Sequence, residues 1–121
     1  MIFKLVARVI AAVFAVLFVV LCFFPASYAP TYGVAANEGV QFLTRRASPM
    51  FIGPAIILWI AASADRSPLR DGIVLGFALM CIGIAATGLV AWAQGIAAPL
   101  ILAAAAAECG MAAALWLARK N

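Results

Sequence analysis

One carboxylate stands out by its position. Glu108 lies twelve residues after Ile96 and ten before Ala118, close to the middle of an apolar run. An acid at the centre of a membrane helix costs about 2.5–3.5 kcal/mol on insertion scales. The alanines at 103–107 offer little apolar compensation, so this run needs partner helices. Three kinds of chemistry suit such a group: binding a proton, contacting a substrate, or hydrogen bonding to another subunit. A plainer role competes with them, a protonated Glu donating to a carbonyl inside a helix bundle. A proton relay needs a second intramembrane titratable group, and no Lys, Arg, Asp or second Glu offers one. Thr87 is the other polar residue singled out within the apolar runs, and with Glu108 it makes the candidate intramembrane polar site.

Two thiols, Cys81 and Cys109, are expected at the depth of Glu108. Two sulfurs without histidine make a weak metal site, and a buried free Cys acts mainly as a small hydrophobe. The chain has no histidine at all. That removes the ordinary haem ligand, the imidazole ligand of a chlorophyll-type pigment and the imidazole base. There is no P-loop, no Rossmann glycine pattern and no Ser-His-Asp set. No metal, no cofactor and no catalytic residue is therefore expected, and the chain reads as something other than an enzyme.

Arg45 and Arg46 form the one basic pair away from the charged ends. They suit an acidic lipid headgroup, an anionic ligand or a partner carboxylate. Snorkelling at the start of a short span is an equal alternative. Gly72, Gly76 and Gly83, with Thr87, fall within about 60° of one another on a helix. Small residues on one face let membrane helices approach closely. The expectation leans to packing within the chain, because the links are short, but packing between chains stays open.

The elements that must carry these residues follow from composition. Of 121 residues, 69% are hydrophobic and 10% charged, and the formal net charge is +4. Soluble domains have roughly half their residues apolar, so a soluble enzyme is excluded, and the placement of the three cysteines in apolar runs excludes a disulfide-stapled secreted domain. The basic residues edge the apolar runs instead of forming a stripe, which argues for membrane topology over nucleic acid. Four spans are expected, at about 5–24, 47–64, 72–93 and 96–118. At ~1.5 Å per residue, twenty residues cross about one hydrocarbon core. The first is read as a signal anchor: Lys4 and Arg8 precede it, and Ser27-Tyr28-Ala29 before Pro30 is a poor cleavage site.

Pro25 and Pro30 are expected to stop the first helix, and Gly53-Pro54 to kink the second. Asn37 is expected to cap a short interfacial helix running through Phe42 and Leu43 to Arg46. A seven-residue polar link, 65–71, and a Gln94-Gly95 turn join the later spans. Trp59, Trp92 and Trp116 read as interface anchors. Phe14 and Phe18 share one face whose partner, lipid or helix, is open.

An even number of spans puts both termini on one side. That side holds Lys4, Arg8, Arg66, Arg70, Arg119 and Lys120, and the other holds Arg45 and Arg46. The excess makes the termini cytoplasmic. The fold expected is an all-α membrane protein, a four-helix transmembrane bundle in a bacterial inner membrane.

The stretch Phe42-Leu43-Thr44-Arg45-Arg46-Ala47-Ser48-Pro49-Met50-Phe51-Ile52-Gly53 carries a resemblance. It continues through Leu58-Trp59, Arg70, Gly76, Ala86-Thr87-Gly88 and Ala107-Glu108. Over residues 42–118 the chain resembles small uncharacterised bacterial inner-membrane proteins with four transmembrane helices, a basic pair before the second and glycines in the third. The resemblance implies a four-helix inner-membrane fold and no reaction. The functional expectation is a structural accessory subunit, in contact with lipid and with a larger membrane complex, an energy-converting one by preference. The alternative is a small oligomeric proton-coupled transporter or channel using Glu108. Small multidrug transporters differ, because their essential Glu lies in the first span.

Overall fold

The computed structural model describes residues 1–121, all of the helices and the links between them. The chain is all-helical: α1 Ile2–Phe23, α2 Pro25–Thr31, α3 Glu38–Ala47, α4 Pro49–Ala61, α5 Pro68–Ala93 and α6 Leu100–Ala118. Three of them, α1, α5 and α6, are long and apolar enough to cross a membrane. The chain is thus a multi-pass membrane protein by the length and composition of its helices.

Pro25 does end α1, but it also starts the next helix. Phe24 leaves the helical region at φ −129°, ψ 52°, and Pro25 opens α2 as its first residue, where a missing N–H costs nothing. Pro30, expected as a second stop, sits inside α2. Gly53-Pro54 lies inside α4, and α3 and α4 part at Ser48-Pro49, close to the boundary expected after Arg46. Pro49 cannot donate back into the α3 ladder, so the ladder ends there. The expected α3 cap is present: Val40 N–H donates to Asn37 Oδ1 at 2.9 Å.

The link before α5 is shorter than expected. Ser67 Oγ accepts from Arg70 N–H at 3.2 Å, and Pro68 begins the helix. Half of the polar stretch 65–71 is thus the first turn of α5, with Asp71 near its positive end. The link before α6 is longer, because Gly95 at φ 72° and Pro99 keep 94–99 out of the helix.

Each helix of the bundle packs against two others of it, and α1 also meets α2 and α3. The broadest contact is α5 with α6, then α1 with α4, and α1–α6 and α4–α5 complete the four-helix arrangement. The apolar positions fix these faces. On α1 the buried residues Phe3, Ala7, Ile10, Ala11 and Phe14 recur at three- and four-residue intervals, as one helix face must. Phe14 is the hub: its ring lies 5.7 Å from Phe51 and 5.5 Å, edge-on, from Phe77. Leu58, Val74, Cys81, Ala112 and Leu115 complete the same core. This core fills the half of the bundle near the two termini.

The other half is tied at its rim. Gly33, at φ 75°, brings the chain against the α5–α6 link, where Ala98 N–H donates to the Tyr32 carbonyl at 2.7 Å. A Cβ on Gly33 would stand 3.0 Å from the Ala98 Cβ.

Candidate functional site

Glu108 sits on α6, partly buried, and makes no hydrogen bond and no ion pair within the chain; the single ion pair is Arg66–Asp71 at 3.6 Å. The antiparallel α5–α6 pair does set it at the expected depth, since its neighbour Cys109 lines one groove together with Ile82. Cys81 is buried and Cys109 exposed, and no group of three metal-ligating side chains forms. Thr87 is not joined to Glu108. Its hydroxyl donates to the Ile84 carbonyl one turn back, at 2.8 Å.

One group that feels the charge of the acid comes from α2. Tyr28 and Tyr32 meet edge-on at 5.4 Å. Burial first, then Tyr32, then the Glu108 carboxyl push the Tyr28 phenol up to about 12. A protonated phenol is a donor, so a neutral aromatic hydroxyl and a lone carboxyl occupy the same region. The sequence showed Tyr28 as part of the poor cleavage site after α1.

The glycine face is open. Nothing lies within 4 Å of a Cβ built on Gly72, Gly76 or Gly83. The α5–α6 contact is made instead by Gly88, whose added Cβ would meet Ile101 at 3.1 Å. The close packing within the chain expected of the three glycines is therefore not made: the α5 stripe Arg70, Val74, Phe77, Ala78, Cys81 and Ala85 is the buried one, and the glycines point elsewhere.

Arg45 and Arg46 are exposed on α3, the helix with no buried residue. They line an open groove of about 430 Å³ with Glu38, Gln41 and Phe42. Arg45 Nε also donates to the Cys22 carbonyl at 3.2 Å, satisfying one of the free carbonyls at the end of α1. Phe42 and Leu43 are exposed beside the two cations.

A third cluster, at the terminal end, was not singled out by residue chemistry. Arg70 is 6% exposed. Its guanidinium donates to the Ala64 carbonyl at 3.0 Å and the Arg119 carbonyl at 2.9 Å, and lies 4.2 Å from the Phe3 ring centre. No carboxylate balances it. The C-terminal ends of α4 and α6 supply the compensating partial negative charge, and the ring adds a cation–π contact. One residue thus binds α1, α4, α5 and α6 at one end. The signal was in the spacing: Arg70 begins the run 70, 74, 77, 81 that marks the buried face of α5. No family model matches this chain, and neither a curated protein nor a solved structure is significantly similar to it.

Proposed function

We propose that this chain is a non-catalytic subunit of a larger bacterial inner-membrane complex, crossing the membrane four times with both termini in the cytoplasm. The observation that carries the reading is the unfilled glycine face of α5, where a Cβ built on Gly72, Gly76 or Gly83 would meet nothing within 4 Å. A face that admits a backbone at close range suits a helix of a partner. The unpaired Glu108 supports the same reading, because a carboxyl in an apolar span gains from an acceptor that the chain itself does not provide.

The fourth crossing rests on α4. Its thirteen residues alone are short of a hydrocarbon core. Ser48 and Ala62 on either side keep helical dihedrals, and the path over 48–62 runs about 22 Å, which crosses where the bilayer thins locally or the flanking 63–64 extend it. The basic side of the molecule then faces the cytoplasm. Arg45 and Arg46 mark the opposite surface, where α3 lies along the interface and meets acidic lipid or a partner carboxylate. An energy-converting complex is the host we favour.

The test is purification in a gentle detergent followed by mass spectrometry of what remains bound. A fixed stoichiometry with larger membrane proteins is expected, and Gly76→Leu or Gly83→Leu should abolish it while membrane insertion persists. Recovery of the chain alone, or of both variants with the full complement, refutes the subunit reading. The competing reading, a proton-coupled transporter, makes a separate demand on Glu108. A proton or solute flux in reconstituted vesicles that vanishes in Glu108→Gln would establish it in place of ours. We expect Glu108→Gln to assemble normally.

A further inference from the structure

Two grooves on the outside of the bundle end in the same chemistry. Between α1 and α4 a groove of about 450 Å³ is floored by Ala11, Ala12 and Ala15 and closed at its terminal end by Trp59. The Arg8 guanidinium lies 5.0 Å from that indole. Between α5 and α6 a groove of about 470 Å³ is floored by Ala78, Ala112 and Ala113 and closed at the same end by Trp116. The Arg119 guanidinium lies 3.5 Å from that indole. In both, small residues open a slot between two helices, an indole marks its end, and a cation sits on the indole.

The cations are uncompensated. Neither Arg8 nor Arg119 reaches a carboxylate; the only ion pair of the chain is Arg66–Asp71. Arg8 donates only to Ser63 Oγ, at 3.3 Å, and the Arg119 side chain makes no hydrogen bond. Each has a buried Nε without an acceptor. Stacking on the indole holds each guanidinium at the rim without neutralising it. An apolar slot that opens at a positive rim fits a molecule with an acyl chain and an anionic head. Trp92, at the opposite end of α5, has no cation on its ring, so the pairing belongs to the terminal end and is not a property of every tryptophan here.

We infer that the α1–α4 and α5–α6 grooves are two binding sites for anionic phospholipid of the terminal-side leaflet, the acyl chain lying on the alanines and the phosphate on Arg8 or Arg119. The inference rests on the membrane reading but not on the subunit reading.

Three single-tryptophan chains test it. Each is reconstituted at full length into vesicles of brominated phosphatidylglycerol or brominated phosphatidylcholine, and quenching of its fluorescence gives the relative occupancy. With Trp59 alone or Trp116 alone, phosphatidylglycerol should be preferred about fivefold, the size of one Lys or Arg facing an anionic surface. With Trp92 alone the two lipids should quench alike. Arg8→Gln should remove the preference at Trp59 and leave that at Trp116, and Arg119→Gln should do the reverse. Unchanged quenching of Trp92 and unchanged helical circular dichroism report that these variants still fold. Equal quenching by the two lipids at Trp59 and Trp116, an equal preference at Trp92, or a preference indifferent to the local arginine would each overturn the inference. Absence of quenching by either lipid at all three positions would instead overturn the membrane reading beneath it.

Discussion

At the residue scale, Arg70 and Tyr28 make the clearest demands. Arg70 holds two carbonyls and an aromatic ring from three other elements. Charged hydrogen bonds contribute about 1.5–3 kcal/mol each, so loss of both in Arg70→Met should destabilise the bundle by about 3–6 kcal/mol in denaturant titrations in detergent. Arg70→Lys should recover only a minor part, because an ammonium cannot span both carbonyls while stacking flat on Phe3. Full stability in the Lys variant would mean that charge alone suffices. For Tyr28 the sign runs the other way from an acid in an ion pair. Its phenol is raised from 10.0 to about 12, so folding favours the protonated form. That contribution is complete below pH 10 and is lost as pH rises towards 12. In Tyr32→Phe, where Tyr28 is the only tyrosine left, the absorbance of tyrosinate should still develop above pH 10. A midpoint at or below 10 would place the phenol in water.

At the element scale the rim contact between the α2–α3 link and the α5–α6 link is the decisive joint. Gly33→Ala meets both a left-handed backbone and the Ala98 Cβ at 3.0 Å. A loss of about 1–2 kcal/mol is expected from the backbone alone, with more from the clash. Adding Ala98→Gly should relieve the clash and leave the backbone cost, a coupling that a double-mutant cycle reads directly. Additive losses would show that the two links move apart freely.

The same scale explains what the sequence disclosed. Apolar length located α1, α5 and α6, and Asn37 before Glu38 located α3, because a cap and a hydrophobic run are local features. The α3–α4 boundary was legible too, expected after Arg46 and found at Ser48-Pro49, but Pro49 as the first residue of α4 was not, since a lone proline reads alike as a kink within a helix or as the first residue of one. Phe14 and the glycine stripe needed tertiary facts. Which face of α1 or α5 turns inward is decided by the neighbours, and Gly72, Gly76 and Gly83 occupy a face that this chain leaves empty. The lone position of Glu108 was visible, but that Tyr28 feels its charge was not, because the link carrying Tyr28 had to fold back first.

At the scale of the whole molecule, parity connects the helices to topology. If α4 crosses the membrane with α1, α5 and α6, the two ends of the chain share a side; if it does not, they face opposite sides. Reporters fused before Met1 and after Asn121 should both be active in the cytoplasm. A periplasm-active reporter after Asn121, with a cytoplasmic one before Met1, would establish three crossings. The core has its own test at this scale: Phe14→Ala removes the ring shared by α1, α4 and α5, with a cost of about 3–5 kcal/mol by analogy with buried aromatic truncations. An insignificant loss would mean that the bundle is held by its lipid and rim contacts instead.

The two carbonyls held by Arg70 become available at different moments of synthesis. Ala64 precedes the arginine by six residues, but Arg119 follows it by forty-nine. During synthesis the guanidinium therefore has one partner long before it has the second. Until α6 has entered beside α5, a cation at the edge of the apolar interior stays half satisfied. The bundle end consequently distinguishes a finished chain from a partial one. Chains halted before residue 100 should be cleared by membrane proteases faster than complete ones, and Arg70→Met should narrow that difference in a pulse-chase experiment, since it removes the charge that makes an unfinished bundle costly to keep.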